Sequence, residues 1–445
     1  MPPIDGGSTG RIFSNGSSGE MSNWTIENCY ADLANQMSIA RLSHQVGSIT
    51  VRNCQFFNSA NDGWNVDDFY GTHLLEGNRI ESVGRAVWYR SPVVVLNAPE
   101  VLLRNNNILS TTARGISVEG GSLGDVIVLS DNNGVQSAES ALYLPEYIRS
   151  ATVIGGAYYA TGSEPTCSIS ADGVTNRVRS IKVSESVFHA EVGHGFIISQ
   201  NGEDFVVDNV TVKGGDQGMV IKGTNGRVTR CDLSTGTGSA LLVKGGQKVY
   251  ISSNKIRSEG SSGDIRAVDV REQDAGTLDQ QDPDYLTIVG NEIYAAGSAS
   301  IGFRIDALNV GDNIVERGNM IFTEASATAA EIQGTTVTDS EGLLTAWSSY
   351  ATPNNGAGTV VNNAEVLIVT EDIVEIAEQV LKTDLDVVID DAALRSLAVF
   401  CMALFNSEKN DGSGTFTIKK ENGDTKHTIN YTTNASNNPV NTTDG

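Results

Sequence analysis

The sequence predicts an all-β solenoid of about twelve stacked coils followed by a small α+β module. Three observations lead there. A short phrase recurs in changing words: ITVRNCQF at Ile49 to Phe56, HLLEGNRI at His73 to Ile80, VLLRNNNI at Val101 to Ile108, VYISSNKI at Val249 to Ile256 and LTIVGNEI at Leu286 to Ile293. Apolar and variable residues alternate within it at period two, which makes it strand and not helix. Its spacing is also nearly constant. Written as an apolar residue, two variable residues, a slot, one variable residue and an apolar residue, the phrase places slots at Cys29, Cys54, Asn78, Asn106, Asn132, Gly156, Ser186, Val210, Cys231, Asn254, Asn291 and Asn319. First slot to last is 290 residues in eleven intervals, about 26 each, a period that marks stacked repeats. Two fits are loose: Asn132 lacks its closing apolar residue on time, and Cys29 is followed by Ala31 only.

A second short strand opens at a small residue roughly ten positions after most slots: GRAVWY after Asn78, GISV after Asn106, SALYL after Asn132, GFIIS after Ser186, GMVIK after Val210 and GSALLV after Cys231. Each repeat thus holds at least two strands separated by bends, and equivalent strands pair in parallel at about 4.8 Å per coil. The slot sits at a bend that recurs in every layer, where only a small residue fits facing in. Asn tolerates left-handed backbone and can bond its counterparts above and below, while Cys packs as a small buried hydrophobe. Cys29, Cys54 and Cys231 are accordingly read as structural thiols, since no CxxC or Cys/His spacing favours a disulfide or a metal ligand.

This organisation resembles the right-handed parallel β-helix superfamily, the pectate-lyase-like group that includes viral tailspikes and surface repeat proteins. The resemblance spans about residues 11–322 and rests on the repeated phrase with its Asn slot, as in LEGNRI and IVGNEI. It implies a right-handed β-helix shaft over residues 1–324, and a homo-oligomer of which spikes of this architecture make a trimer the expectation. The architecture hosts lyases, hydrolases, epimerases and non-catalytic adhesins, so function has to come from the residues.

The C-terminal third changes grammar. Residues 325–364, with small residues and NNGAG, read as a linker or terminal coils. Residues 365–433 read as an α+β docking or oligomerisation module. Within it, EDIVEIAEQVLKT (371–383) puts Ile373, Ile376, Ala377 and Val380 on one helix face, and DDAALRSLAVFCMALFNSEKN (390–410) is a second, more apolar helix. TFTIKKENGDTKHTINY then reads as a hairpin turning at Asn422-Gly423. The plainer use for such a module is to cap the open last coil. Residues 434–445 read as a flexible Asn/Thr-rich tail. Glycosylation sequons stand at Asn15, Asn23, Asn209, Asn430, Asn434 and Asn441; composition alone generates such matches, and Asn209, inside a strand phrase, is the least available.

Fifty-four acidic against 30 basic residues give a net charge of −24, and the basic side is 19 Arg to 11 Lys. That balance speaks against nucleic acid or anionic membrane as partner. It suits a halophilic host, where salt screens self-repulsion, or equally an acidic extracellular surface. Neither an eighteen-residue apolar run nor a basic and apolar leader is visible, so no membrane span or signal peptide is expected.

For chemistry, DGWNVDDFYG (62–71) and VGHGFIIS (192–199) are similar to the Asn-x-Asp, Asp-Asp and Gly-His-Gly motifs of polygalacturonase-type glycoside hydrolases. Asp67 follows the second slot and His194 the seventh, so they stand five coils or about 24 Å apart. Glycoside hydrolysis uses carboxylates about 5 to 9.5 Å apart, so the two motifs do not make one site. The Arg-x-Ile-Lys segment of that family is also missing, and the sequence leans away from catalysis. If the chain is a polysaccharide lyase or hydrolase, Asp67 and Asp68 are its catalytic candidates, with Glu76 or Glu81 from the next coil and Arg85 and Arg90 nearby; solvated turn acids are the plainer reading. His194, between two glycines, reads as a turn residue.

Aromatic residues concentrate before residue 160. If Val87 and Tyr89 face in, Trp88 faces out, and with Leu142 and Leu144 in, Tyr143 faces out. Trp88 and Tyr143 are therefore the carbohydrate-binding candidates, while Trp64 reads equally well as core. The longest interval, between Asn254 and Asn291, contains the acid-rich stretch 268–285. There Asp279, Asp282 and Asp284 are the nearest offer for Ca²⁺, without the spacing of an EF-hand, and a solvated loop is the plainer reading. No other cofactor is expected. Taken together, the sequence predicts a non-enzymatic spike or fibre component at a virion surface or outside the cell, binding host-surface glycan or glycoprotein and docking to other virion or surface-assembly proteins.

Overall fold

The computed structural model describes residues 23–340 and, beyond them, the strands 359–362, 408–410, 415–419, 425–433 and 439–444. Within 23–340 the description omits 33–39, 43–45, 60, 82, 94–96, 122–124, 171–176, 261–264, 272–282, 284, 297–299, 307–313, 324–326 and 334–335. The chain divides into two compact units, Met1–Ala364 and Glu365–Gly445.

Three strands make each of twelve coils in the first unit, and two further strands extend the first of its three sheets. In the second coil the three are Ile49–Arg52, Gln55–Phe57 and Asp62–Asp67; in the third, Thr72–Glu76, Arg79–Glu81 and Arg85–Arg90. Like strand stacks on like in parallel, giving sheets of fourteen, twelve and twelve strands, the first, second and third sheets below. The all-β parallel solenoid of about twelve coils is therefore what the chain forms. The repeated phrase, read as one strand, is in fact two, hinged at its slot, and the GRAVWY-type segment supplies the third.

The hinge has a simple cause. At every slot the preceding residue (Asn28, Asn53, Gly77, Asn105, Asn132, Gly155, Glu185, Asn209, Arg230, Ser253, Gly290 or Gly318) is left-handed, with φ between 49° and 64°. The two tasks expected of the slot are thus divided: one residue bends the backbone and the next fills the interior. This corrects one assignment, since Asn132 (φ 49°) is the bend and Asn133, with no exposure, is the slot. Val135 then closes the phrase on time. Asn209, expected to be shielded, is exposed at its corner.

Slot asparagines form two buried ladders. Asn78 donates from its backbone N (3.1 Å) and its Nδ2 (3.0 Å) to Asn106 Oδ1, and Asn106 donates likewise to Asn133 Oδ1 at 2.9 Å from both atoms. Each Nδ2 also donates back to a carbonyl of the preceding coil, as Asn106 does to Leu75 at 2.9 Å. Asn254, Asn291 and Asn319 repeat the arrangement. Cysteine joins each ladder at its start, Cys54 N donating to Asn78 Oδ1 and Cys231 N to Asn254 Oδ1. Both thiols are buried and unbridged, and burial pushes them up to about 11 and about 12.

Inward residues of all three sheets form one continuous core. Between the second and third coils it is aromatic: Phe69 and His73 each pack edge-on against Tyr89, at 5.2 and 5.3 Å. Trp64 Nε1 donates to the Tyr89 hydroxyl at 3.1 Å, so Trp64 is core. His73 has no exposure, its Nε2 lies 3.2 Å from the Tyr70 carbonyl oxygen, and burial lowers its pKa to about 4. Outside, the first sheet carries a charge column in register, Glu27, Arg52, Glu76, Arg104 and Asp131, alternating in sign from coil to coil.

Strands Thr328–Gln333, Thr336–Ser340 and Thr359–Asn362 continue the third and first sheets, so residues read as linker or terminal coils supply coil strands. In the second unit Thr415–Lys419 and Thr425–Thr433 pair antiparallel, as the hairpin reading requires. Two expectations are corrected there. Pro439–Asp444 pairs with Thr425–Thr433, so the supposed flexible tail contributes a strand; its Val440, Thr442 and Thr443 are β-branched and favour that state. Glu408–Asn410, assigned to the end of the second helix, is also strand. The rest of both predicted helices lies outside the described residues. Among the described residues no helix is long and apolar enough to cross a membrane.

Candidate functional site

Register sets which residues line the side of the third sheet away from the core, where Trp88 and Tyr143 are partly exposed and the other residues of the central column are buried. That column runs Asn65, Trp88, Ser117, Tyr143, Ser168, Ile197, Val220, Leu242 and Asp269 through successive coils. Trp88 and Tyr143 face out as alternation requires, because Val87, Tyr89, Leu142 and Leu144 fill the core. Polar and aromatic groups occupy the first five positions. The next three, Ile197, Val220 and Leu242, form a separate small apolar cluster.

The planar rings at the polar end are not bare. The Arg85 guanidinium lies 3.5 Å from the Trp88 ring centre and that of Arg90 lies 4.3 Å from it, while Arg114 sits 3.6 Å from the centre of Tyr143. Each arginine is also ion-paired. Arg85 reaches Asp62 with Nε to Oδ1 at 2.7 Å and Nη2 to Oδ2 at 3.3 Å, and Arg90 pairs with Asp67 at 2.8 Å. Arg114 stands 3.9 Å from Glu119 and 3.8 Å from Glu139. Asn65 donates to Asp62 Oδ2 at 2.8 Å. Trp88 Nε1 and Ser117 Oγ both donate to Glu119 Oε1 at 3.0 Å. The result is a sheet of guanidinium, indole, phenol and carboxylate held in place by its own contacts.

Electrostatics at Tyr143 follow from that crowding. Burial raises its phenol pKa, Arg114 opposes this, and Glu119, Glu164 and Glu146 add to it. Glu146 is itself raised, first by burial and then by Glu119. A carboxylate fixed by two donors thus stands near one that holds its proton more tightly than usual.

Asp67 lies at the outer end of its strand and is paired with Arg90, and Asp68 occupies the following left-handed corner (φ 52°). Glu76 and Glu81 belong to the first and second sheets, so the structure does not bring them to the aspartates as a local pair. His194 lies in the turn before Phe196–Ile198, five strands along the third sheet from Asp62–Asp67, with its Nδ1 3.4 Å from Asp216 Oδ2. Burial lowers its pKa. Asp279, Asp282 and Asp284 lie outside the described residues. No group of three or more His, Cys, Asp or Glu side chains in metal-holding geometry occurs among the described residues.

Arg114, Glu119 and Glu146 escaped the sequence reading. The signal was present: set in register, RAVWYR (85–90) and RGISVE (114–119) put Arg85 above Arg114 and Arg90 above Glu119. One-coil-at-a-time reading hides such columns.

A family model described as right handed beta helix region matches residues 4–166 and 167–355. The chain belongs to that family. Among solved structures the β-helix is similar to the A-module of mannuronan C-5 epimerase AlgE6 from Azotobacter vinelandii, at 15% identity over 72% of this chain and 91% of that one, with a TM-score of 0.38. A likeness of that depth carries nothing about substrate. No curated protein sequence matches significantly.

Proposed function

We propose that this β-helix is the shaft of a surface spike or fibre, of virion type, that binds host-surface glycan on the outer face of its third sheet and does no chemistry on it. One observation carries the reading: neighbouring coils, from Asn65 to Tyr143, present fixed guanidinium–aromatic stacks edged by carboxylates. Alternating rigid donors and acceptors match the vicinal hydroxyls of pyranose rings. The arginines cover the rings, so the aromatic residues act chiefly by holding the guanidiniums flat. Assembly as a trimer, docking to other virion proteins through the C-terminal unit, a virion-surface or extracellular location and a halophilic host belong to the same proposal.

A second reading, polysaccharide lyase or hydrolase, is favoured by Glu146, whose carboxyl is raised by burial and then by the neighbouring Glu119. One experiment separates the two. The full chain is incubated with purified host-surface polysaccharides, reading bound protein and new reducing or unsaturated ends. Binding without new ends, lost at least tenfold in Trp88→Ala, supports the spike. New ends that vanish in Glu146→Gln would replace it with the enzyme.

A further inference from the structure

The charges around Trp88 and Tyr143 are unequal. Three guanidiniums, Arg85, Arg90 and Arg114, meet six carboxylates, Asp62, Asp67, Glu119, Glu139, Glu146 and Glu164. Every one of these arginines already faces a carboxylate of the protein, Arg85 through two contacts. An incoming carboxylate, sulfate or phosphate would have to displace one of those partners. It would also approach Glu146, raised first by burial and then by the charge of Glu119, within a chain of net charge −24. Like charges at these separations repel even at physiological ionic strength, because the Debye length of about 8 Å spans neighbouring coils.

A hydroxyl meets no such penalty. It accepts from a guanidinium N–H and donates to a carboxylate without requiring a counter-charge.

We infer that the glycan taken at this face is uncharged, built of hexose or acetamido-hexose units without carboxylate, sulfate or phosphate. The inference rests on the glycan-binding reading above and names its ligand class. The test uses matched pairs of immobilised polysaccharide: polygalacturonate and hyaluronan, each beside its carboxyl-reduced form, with dextran and mannan as further neutral probes. Binding of the full chain is measured at 0.05 and 0.5 M NaCl, conditions that about triple the screening.

The expected result is at least tenfold tighter binding to a neutral member than to its acidic parent at low salt, with the gap narrowing at high salt as repulsion is screened. In the rim variant Glu139→Gln/Glu164→Gln the neutral-over-acidic preference should shrink at least threefold. Tighter binding to the acidic members, or a preference indifferent to both salt and the rim variant, overturns the inference and leaves glycan binding intact. Binding to none of the probes, charged or neutral, removes the glycan-binding reading and this inference with it.

Discussion

Asn106 shows how much one side chain carries. It accepts two hydrogen bonds from Asn78 and donates to Asn133 and to the Leu75 carbonyl, all out of solvent. Asn106→Ala should cost about 3 kcal/mol or more, since it strands buried donors and an acceptor as well as opening a cavity. Asn106→Asp, which keeps the shape and loses the donors, should cost a comparable amount; urea denaturation of both variants checks this. His73 gives a pH signature. Its folded pKa of about 4 lies below the ordinary 6.5, so the unfolded chain binds the extra proton between those values. Its contribution is complete above pH 6.5 and drains as pH falls towards 4, by about 3 kcal/mol in all. Urea midpoints at pH 7 and 4.5 should therefore differ less for His73→Phe than for the parent. In the sequence, alternation sufficed to point Trp88 and Tyr143 outward. The arginines over them were legible only with the coils set in register, because they come from three positions back, two positions on and the neighbouring coil.

At the scale of the strand and its corner, the repeat was legible because one period-two phrase returns every 26 residues or so. What alternation could not show was the left-handed residue that splits the phrase, since Asn, Ser, Glu, Arg and Gly all hold that corner. The Asn132–Asn133 correction has the same origin: adjacent asparagines look alike in a pattern but serve bend and interior separately. Between the two ladders the slots are Gly156, Ser186 and Val210, which carry no amide; Ser186 Oγ donates instead to the Gly155 carbonyl oxygen of the preceding coil at 2.8 Å. Gly156 has φ 86°, and a Cβ there would stand 2.5 Å from the Asn133 carbonyl oxygen. Gly156→Ala is expected to lower the melting temperature by several degrees, through both backbone strain and contact with the coil above. An unchanged melting temperature would mean that these middle coils shift to make room.

For the whole molecule the dominant quantity is the charge of −24. Self-repulsion of that size is relieved by salt, so the melting temperature should rise by several degrees between 0.1 and 1 M NaCl. A flat response would count against the proposed life in brine and leave an ordinary acidic surface. Composition and period made the shaft readable end to end. The C-terminal unit was less so, because a strand such as Pro439–Asp444 is fixed by its neighbour Thr425–Thr433 and not by any repeat. The asparagine ladder also makes shaft length something a gene can inherit in whole steps. Each rung hands the next an identical amide, so copying residues 79–106 in tandem leaves every slot facing its accustomed partner and adds one coil, about 4.8 Å of reach, to a chain that still folds. A lineage could lengthen or shorten its β-helix by unequal recombination alone, without inventing a new residue.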